Sequence, residues 1–298
     1  MVSSMAEPIR VTVTRGETVE SVHLVHAVAV RDGAIVAEAG DPELVTFMRS
    51  AAKPIQAGPL ARAREDLSDR DLAIASASHL ADDHQLVAVT SLLAKAPATE
   101  DDLECGPFEG SKIRHNCSGK HAGMLALCHA HDWPYDGYRA QDHPCQQAML
   151  AEVEALAETD ELATATDGCG VVTFALPLTR IAAAFANVDP RVAGAMRAYP
   201  ELIRGPQAPD TLLMQSLDGW HAKGGAEGLI CAASSDGLAF ALKVEDGHPR
   251  ALRPALGSFL DTLGLDGSLF GPTPLRNSRD EVVGEVKTAL RRRLGGAA

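Results

Sequence analysis

Residues 228–245 read GLICAASSDGLAFALKVE. Two short apolar runs flank Ser235-Asp236-Gly237, and Asp-Gly between apolar runs is a strong hairpin signal. The same pattern stands at the other end of the chain. Residues 9–14 and 20–31 alternate or run apolar with many β-branched residues, and Asp32-Gly33 starts a turn into residues 34–40. Strands therefore lie at both ends. Between them, from about 55 to 205, segments 84–95, 121–131, 144–158 and 174–187 carry apolar residues at three-to-four spacing with much alanine, which predicts helices. Helix starts are expected at Asp41-Pro42-Glu43 and again near Ser50 and Lys53, residues 208–221 read as helical or irregular, and 252–264 and 278–294 read as closing helices. No repeat, low-complexity linker or charge block divides the chain. The expected fold class is α/β of the α+β kind. One antiparallel sheet from both chain ends packs with a mainly helical lobe at about 55–205, in a single catalytic unit over 1–298. A site is expected between sheet and lobe, where pockets are common.

Composition narrows the function. The 298 residues suffice for a buried core. A net charge of −13 offers no basic face for a nucleic-acid backbone, and 4% aromatic residues weaken any base-stacking platform. The one dense basic run, Arg291-Arg292-Arg293, suits the last turn of a helix. No apolar run is long enough to span a bilayer, and MVSSMAEPIR lacks the pattern of a secretory signal, so a cytoplasmic protein with no membrane partner is expected. Cys105, Cys117, Cys128, Cys145, Cys169 and Cys231 then read mainly as buried thiols.

Five stretches carry chemistry. In Arg49-Ser50-Ala51-Ala52-Lys53-Pro54, Ser50 and Lys53 stand three apart on one helix face. A serine hydroxyl is a weak nucleophile until a base takes its proton, and a lysine with a lowered pKa can serve. Ser76-Ala77-Ser78-His79 brings hydroxyls out of the apolar run 72–75, which suits a site wall; alone, it reads rather as a turn or a helix N-cap. His115-Asn116-Cys117-Ser118-Gly119-Lys120-His121 crowds polar groups at the start of an apolar helix, which is costly without a purpose. It lacks the first glycine and the trailing hydroxyl of a phosphate loop, so nucleotide binding is rejected. Asp167-Gly168-Cys169-Gly170 is a tight turn whose carboxylate can orient an amine, and Cys117 and Cys169 can bind zinc with a third ligand. Lys243 lies in an apolar strand and needs a partner or a task, unless it faces solvent, which alternation permits. A second lysine near the serine site would depress its neighbour's pKa. Lys223-Gly224-Gly225-Ala226-Glu227-Gly228 reads as a site loop or a dimer contact.

Together RSAAKP (49–54), SASH (76–79), NCSGKH (116–121), DGCG (167–170) and KGGAEG (223–228) resemble the asparaginase II family, the rhizobial-type L-asparaginases. The resemblance implies a fold similar to serine-dependent β-lactamases and glutaminases, a homodimer, and hydrolysis of L-asparagine to L-aspartate and ammonia. It implies Ser50 as nucleophile with Lys53 beside it, and a second serine, best matched by Ser78, paired with a strand lysine, best matched by Lys243. No cofactor is needed for the chemistry. A metal site, usually zinc, is implied at Cys117, Lys120 and Cys169. Arg49, His79 and Asp167 are the candidates for holding the substrate's charged groups. The chain departs from the family where Val171 and Val172 stand in place of a common proline. A glutaminase, another small-amide hydrolase and a non-catalytic metal- or amino-acid-binding protein are the alternatives, because one methylene in a pocket is worth only about 1–3 kcal/mol and fold does not fix function.

Overall fold

Three strands open the chain: β1 (Ile9–Arg15), β2 (Thr18–Arg31) and β3 (Ala34–Ala39). The β2–β3 turn has positive φ at both Asp32 and Gly33, the left-handed pair that suits a two-residue hairpin. The computed structural model describes residues 6–289. After β4 (Val45–Phe47) come short helices α1 (Lys53–Gln56), α2 (Gly58–Ala63) and α3 (Asp69–Ala75). The longer α4 (Asp83–Lys95), α5 (Ser118–Ala130) and α6 (Pro144–Ala157) follow. Next are β5 (Ala163–Thr166) and β6 (Val172–Pro177), then α7 (Leu178–Ala186), α8 (Pro190–Ala198), α9 (Pro200–Ile203) and α10 (Pro209–Ser216). The chain returns to strands in β7 (Trp220–Gly224), β8 (Leu229–Ser234) and β9 (Ala239–Val244), crosses α11 (Leu252–Thr262), and ends in β10 (Thr273–Arg276) and β11 (Val282–Thr288).

The two chain ends share one antiparallel sheet, as expected. Its order is β10-β11-β1-β2-β9-β8-β7, with β3 also on β2. Helices cover both faces, and strand alternation assigns them. On one face Phe240 of β9 meets Phe259 of α11 edge to face. On the other, His221 of β7 stacks on Phe185 of α7. Because both faces are covered, β9 is buried along its whole length, and each large apolar side chain buried there stabilises by about 1.5–3 kcal/mol. A small sheet, β4-β6-β5, brackets the start of α1. The architecture is α+β.

Three expectations are corrected. Residues 278–294 are not a closing helix: Val282–Thr288 is strand β11, paired antiparallel to β1 from Gly284↔Arg15 to Thr288↔Val11. Its β-branched Val282, Val283, Val286 and Thr288 suit a strand, and pairing with β1 fills that strand's open edge. Arg291–Arg293 lie outside the described residues. Asp41-Pro42-Glu43 starts no helix. The Asp41 carboxylate accepts the Glu43 N–H at 2.9 Å, closing a local turn, and β4 follows. Within 174–187 the helix begins only at Leu178, because Val172–Pro177 pairs with β4 and β5. Among the described residues no helix is long and apolar enough to cross a membrane, and all six cysteines are free and buried.

Candidate active site

The site begins where β4 ends. Met48 donates its N–H to the Phe174 carbonyl at 2.8 Å, extending the β4–β6 pairing by one residue. Arg49 then takes a left-handed φ of 50°, which for a non-glycine residue costs roughly 1–2 kcal/mol. Two contacts hold it there. Its N–H donates to Thr173 Oγ1 at 3.1 Å, and its guanidinium pairs with Asp167. The sharp turn sends the chain into a 3-10 turn at Arg49–Ala52 that runs directly into α1. Ser50 sits half-buried in the first of these turns. The turn also fixes a close approach, since a Cβ on Gly225 would lie 2.7 Å from the Met48 carbonyl oxygen.

Lys53 follows one turn after Ser50 and is fully buried. Its Nζ donates to the Ala77 carbonyl at 2.5 Å and to Ser78 Oγ at 2.9 Å. Burial lowers its pKa, and the Lys120 charge lowers it further, while the Cys117 and Cys169 thiols pull the other way. Ser78 is held in place by its own backbone, whose N–H donates to the Ile203 carbonyl at 2.7 Å. Ser76 does something different: its hydroxyl bonds back to Leu72 at 3.0 Å at the end of α3. His79 is a clamp. Its Nδ1 accepts from the Ala81 N–H at 3.1 Å, which leaves Nε2 to donate to Ser118 Oγ at 2.8 Å. Burial, helped by Lys53, pushes its pKa down to about 4, so the ring is neutral at pH 7.

Two thiols and an amine meet on the far side of Lys53. Lys120 Nζ donates to Cys169 Sγ at 3.1 Å, and the Cys117 thiol, which donates to Asn116 Oδ1 at 3.4 Å, lies beside them. The neighbouring Cys169 thiol, with Lys53, His115 and Lys120 nearby, holds Cys117 well below the usual thiol range, while Cys117 and burial push Cys169 well above it. Burial acts to lower Lys120, but the thiols and Asp167 outweigh it and its pKa is raised. Asp167 braces this corner: one oxygen takes Arg49 and the Gly168 N–H, the latter at 2.8 Å. Among the described residues no three His, Cys, Asp or Glu side chains gather as a metal group. The gathered donors are two sulfurs and a lysine nitrogen.

The sheet carries two buried lysines, the expected Lys243 and also Lys223. Lys243 pairs across the sheet with His26 on β2 and Leu229 on β8, and its charged neighbours are Glu227, Asp246 and Glu245. Strand geometry puts it two strands and two residues from Lys223, about 12 Å away. Lys223, on the edge strand β7, is fully buried, and its charged neighbours are Asp210, Lys53, Arg204 and Cys117. Its Nζ donates to the Gly224 carbonyl at 2.8 Å and stands 3.8 Å from Asp210 Oδ2. Asp210, at the start of α10, takes the outward Gly224 N–H at 2.9 Å and so replaces the missing next strand. Burial lowers the Lys223 pKa to about 7, with Asp210 opposing and Lys53 assisting. The structure therefore brings together Ser50, Lys53, Ser78, Cys117, Lys120, Cys169, Arg49, His79 and Asp167, and leaves Lys243 outside.

Lys223 was legible in part: a lysine between a tryptophan-bearing run and two glycines is an odd surface residue. Asp210 and Arg204 gave no sequence signal, because their role depends on α9 and α10 folding back against β7. The assembled cluster can move a proton between a hydroxyl and buried amines of lowered pKa, which is the requirement for activating a serine. None of the curated proteins compared with the chain matches it. The family model for L-asparaginase II matches residues 11–288, which span both chain ends of the sheet and the helical lobe, and the chain therefore belongs to the L-asparaginase II family.

Proposed function

We propose that this member of an asparaginase-type amidohydrolase family hydrolyses L-asparagine to L-aspartate and ammonia through a serine acyl-enzyme. The observation that carries the reading is the fully buried Lys53, hydrogen-bonded to Ser78 Oγ at 2.9 Å one turn beyond Ser50. Neutral Lys53 takes the proton of Ser50. Ser50 attacks the side-chain carboxamide carbon, and backbone N–H groups of the Arg49–Ala52 turn stabilise the oxyanion. Lys53 and Ser78 pass the proton to the departing ammonia. Water then adds to the β-aspartyl ester, and its proton returns to Ser50. Lys223 takes the part first given to Lys243. Burial, assisted by the Lys53 charge, lowers its pKa to about 7, where it can exchange a proton near neutrality.

The Cys117, Lys120 and Cys169 donor set fits zinc, since a nitrogen and a soft sulfur already lie 3.1 Å apart with the second thiol beside them. A bound cation would supply a fixed positive charge beside Lys53 and tie α5 to the 167–170 turn. These residues hold that corner, and Asp167 orients Arg49 from it. The reading also carries the single catalytic unit, the β-lactamase- and glutaminase-like fold, the cytoplasmic placement and the homodimer that the family resemblance implies. Sedimentation at twice the protomer mass supports the dimer, and sedimentation at the protomer mass removes it.

Ammonia release from L-asparagine by wild type and by Ser50→Ala tests the proposal. Removing the nucleophile should reduce kcat by at least about 10³-fold with the fold intact. Near-normal turnover by the variant would overturn the serine mechanism.

A further inference from the structure

A small amino-acid amide arrives with a carboxylate that needs a cation inside the site. The expected holders are already committed. Arg49 gives its Nε to Asp167, whose carboxylate balances its charge. Both ring nitrogens of His79 are used, and the ring is neutral. Lys53 bonds Ala77 and Ser78, Lys120 bonds Cys169, and Lys223 bonds the Gly224 carbonyl.

Arg204 is different. It is half-buried, and among the described residues its guanidinium has no hydrogen bond and no ion pair. Its backbone is nonetheless fixed, because its carbonyl accepts from Gln85 Nε2 at 2.6 Å. It follows Ile203, whose carbonyl holds the Ser78 N–H at 2.7 Å. Its guanidinium lies over β7: a Cβ on Gly224 would sit 3.1 Å from Arg204 Nη1 and 3.3 Å from Asp210 Oδ2. Gly224 thus leaves room for the guanidinium directly beside Lys223. An unpaired, partly desolvated arginine on a fixed backbone is a fork waiting for a carboxylate.

The geometry points to Arg204 as the residue that receives the α-carboxylate of an α-amino acid amide, and so sets the specificity of the site for amino acids over simple amides. This rests on the amidohydrolase reading above. Arg204 does not touch the reacting carbonyl and is a specificity-determining residue.

The test compares wild type, Arg204→Leu and Arg204→Lys on L-asparagine and on 3-aminopropanamide, which is asparagine without its α-carboxylate. Arg204→Leu is expected to lose about 100-fold in kcat/KM on L-asparagine, mainly through KM, and to lose most of the preference for asparagine over 3-aminopropanamide. Arg204→Lys should fall between, because it keeps the charge without the fork. Calorimetric binding of L-aspartate and of β-alanine gives a readout independent of turnover. Wild type should favour L-aspartate, and Arg204→Leu should not. If both preferences survive in a folded Arg204→Leu, the assignment is overturned while the hydrolase reading stands. If wild type releases no ammonia from asparagine but the aspartate preference vanishes with Arg204, the assignment stands and the hydrolase reading falls.

Discussion

Lys223 and Lys243 lie on the same sheet, in strands separated only by β8, and alternation directs both toward the same face. Both are buried, and burial lowers the pKa of both. Their surroundings separate them. Lys243 gives its ammonium to the Val244 carbonyl, and the nearby carboxylates of Glu227, Asp246 and Glu245 favour keeping it charged. Lys223 has one carboxylate, Asp210, at 3.8 Å, and it faces two other cations, Lys53 and Arg204. A lysine among acids is a structural ion. A buried lysine beside other cations is more easily neutral, as the proposed proton carrier must be. What decides between the two is register: two strands over and two residues along move a side chain from the site to a rim of carboxylates.

Breaking the comparison gives the largest expected effect. Lys223→Met should cost about 10²–10⁴-fold in kcat for asparagine hydrolysis, whereas Lys243→Met should stay within about threefold, measured by ammonia release on matched, folded proteins. Equal losses in the two variants would erase the distinction drawn here.

A second difference is expected in stability. Replacing His79 by Phe removes a clamp between the 76–81 loop and α5 and leaves the buried Ser118 hydroxyl without its donor. That should cost about 1–3 kcal/mol in chemical denaturation. Unchanged stability would show that the clamp is dispensable.

A pH dependence sharpens the comparison further. The folded pKa of Lys223, about 7, lies below its ordinary value of 10.5. Between these values the unfolded chain binds the proton and the folded chain does not. The penalty for burying this lysine is therefore full below pH 7 and is relieved as pH rises from 7 toward 10.5. Lys223→Met should flatten that rise in denaturation free energy relative to wild type. An unchanged slope would mean that Lys223 titrates normally.

Much of the sheet could be read in the sequence because hairpins announce themselves. Asp32-Gly33 and Ser235-Asp236-Gly237 both make the turns their residues prescribe, with left-handed glycines where the strands reverse. β11 escaped because its glutamate, lysine and arginine neighbours mimic a charged amphipathic helix, and only pairing with β1 reveals the strand. β6 escaped for a related reason: Phe174-Ala175-Leu176 fits helical spacing as well as it fits a pleat, and Pro177 marks the real boundary. At the site, Ser50 and Lys53 were visible because the spacing within one turn is local. Ser78 and the thiols were visible as motifs. The choice between Lys223 and Lys243 was not, since it depends on which end of which strand meets α1, a long-range fact. Arg204 was invisible for the same reason. Its significance is the lack of a partner, and a sequence does not display missing contacts.

The central claim is that Ser50 carries the acyl group. The most direct measurement is acid quenching of the protein during turnover of L-asparagine, followed by intact-mass and peptide mass spectrometry. The account predicts a covalent gain of one aspartyl group, mapped to the peptide containing Ser50 and absent in Ser50→Ala. An adduct on another residue during active turnover would contradict it.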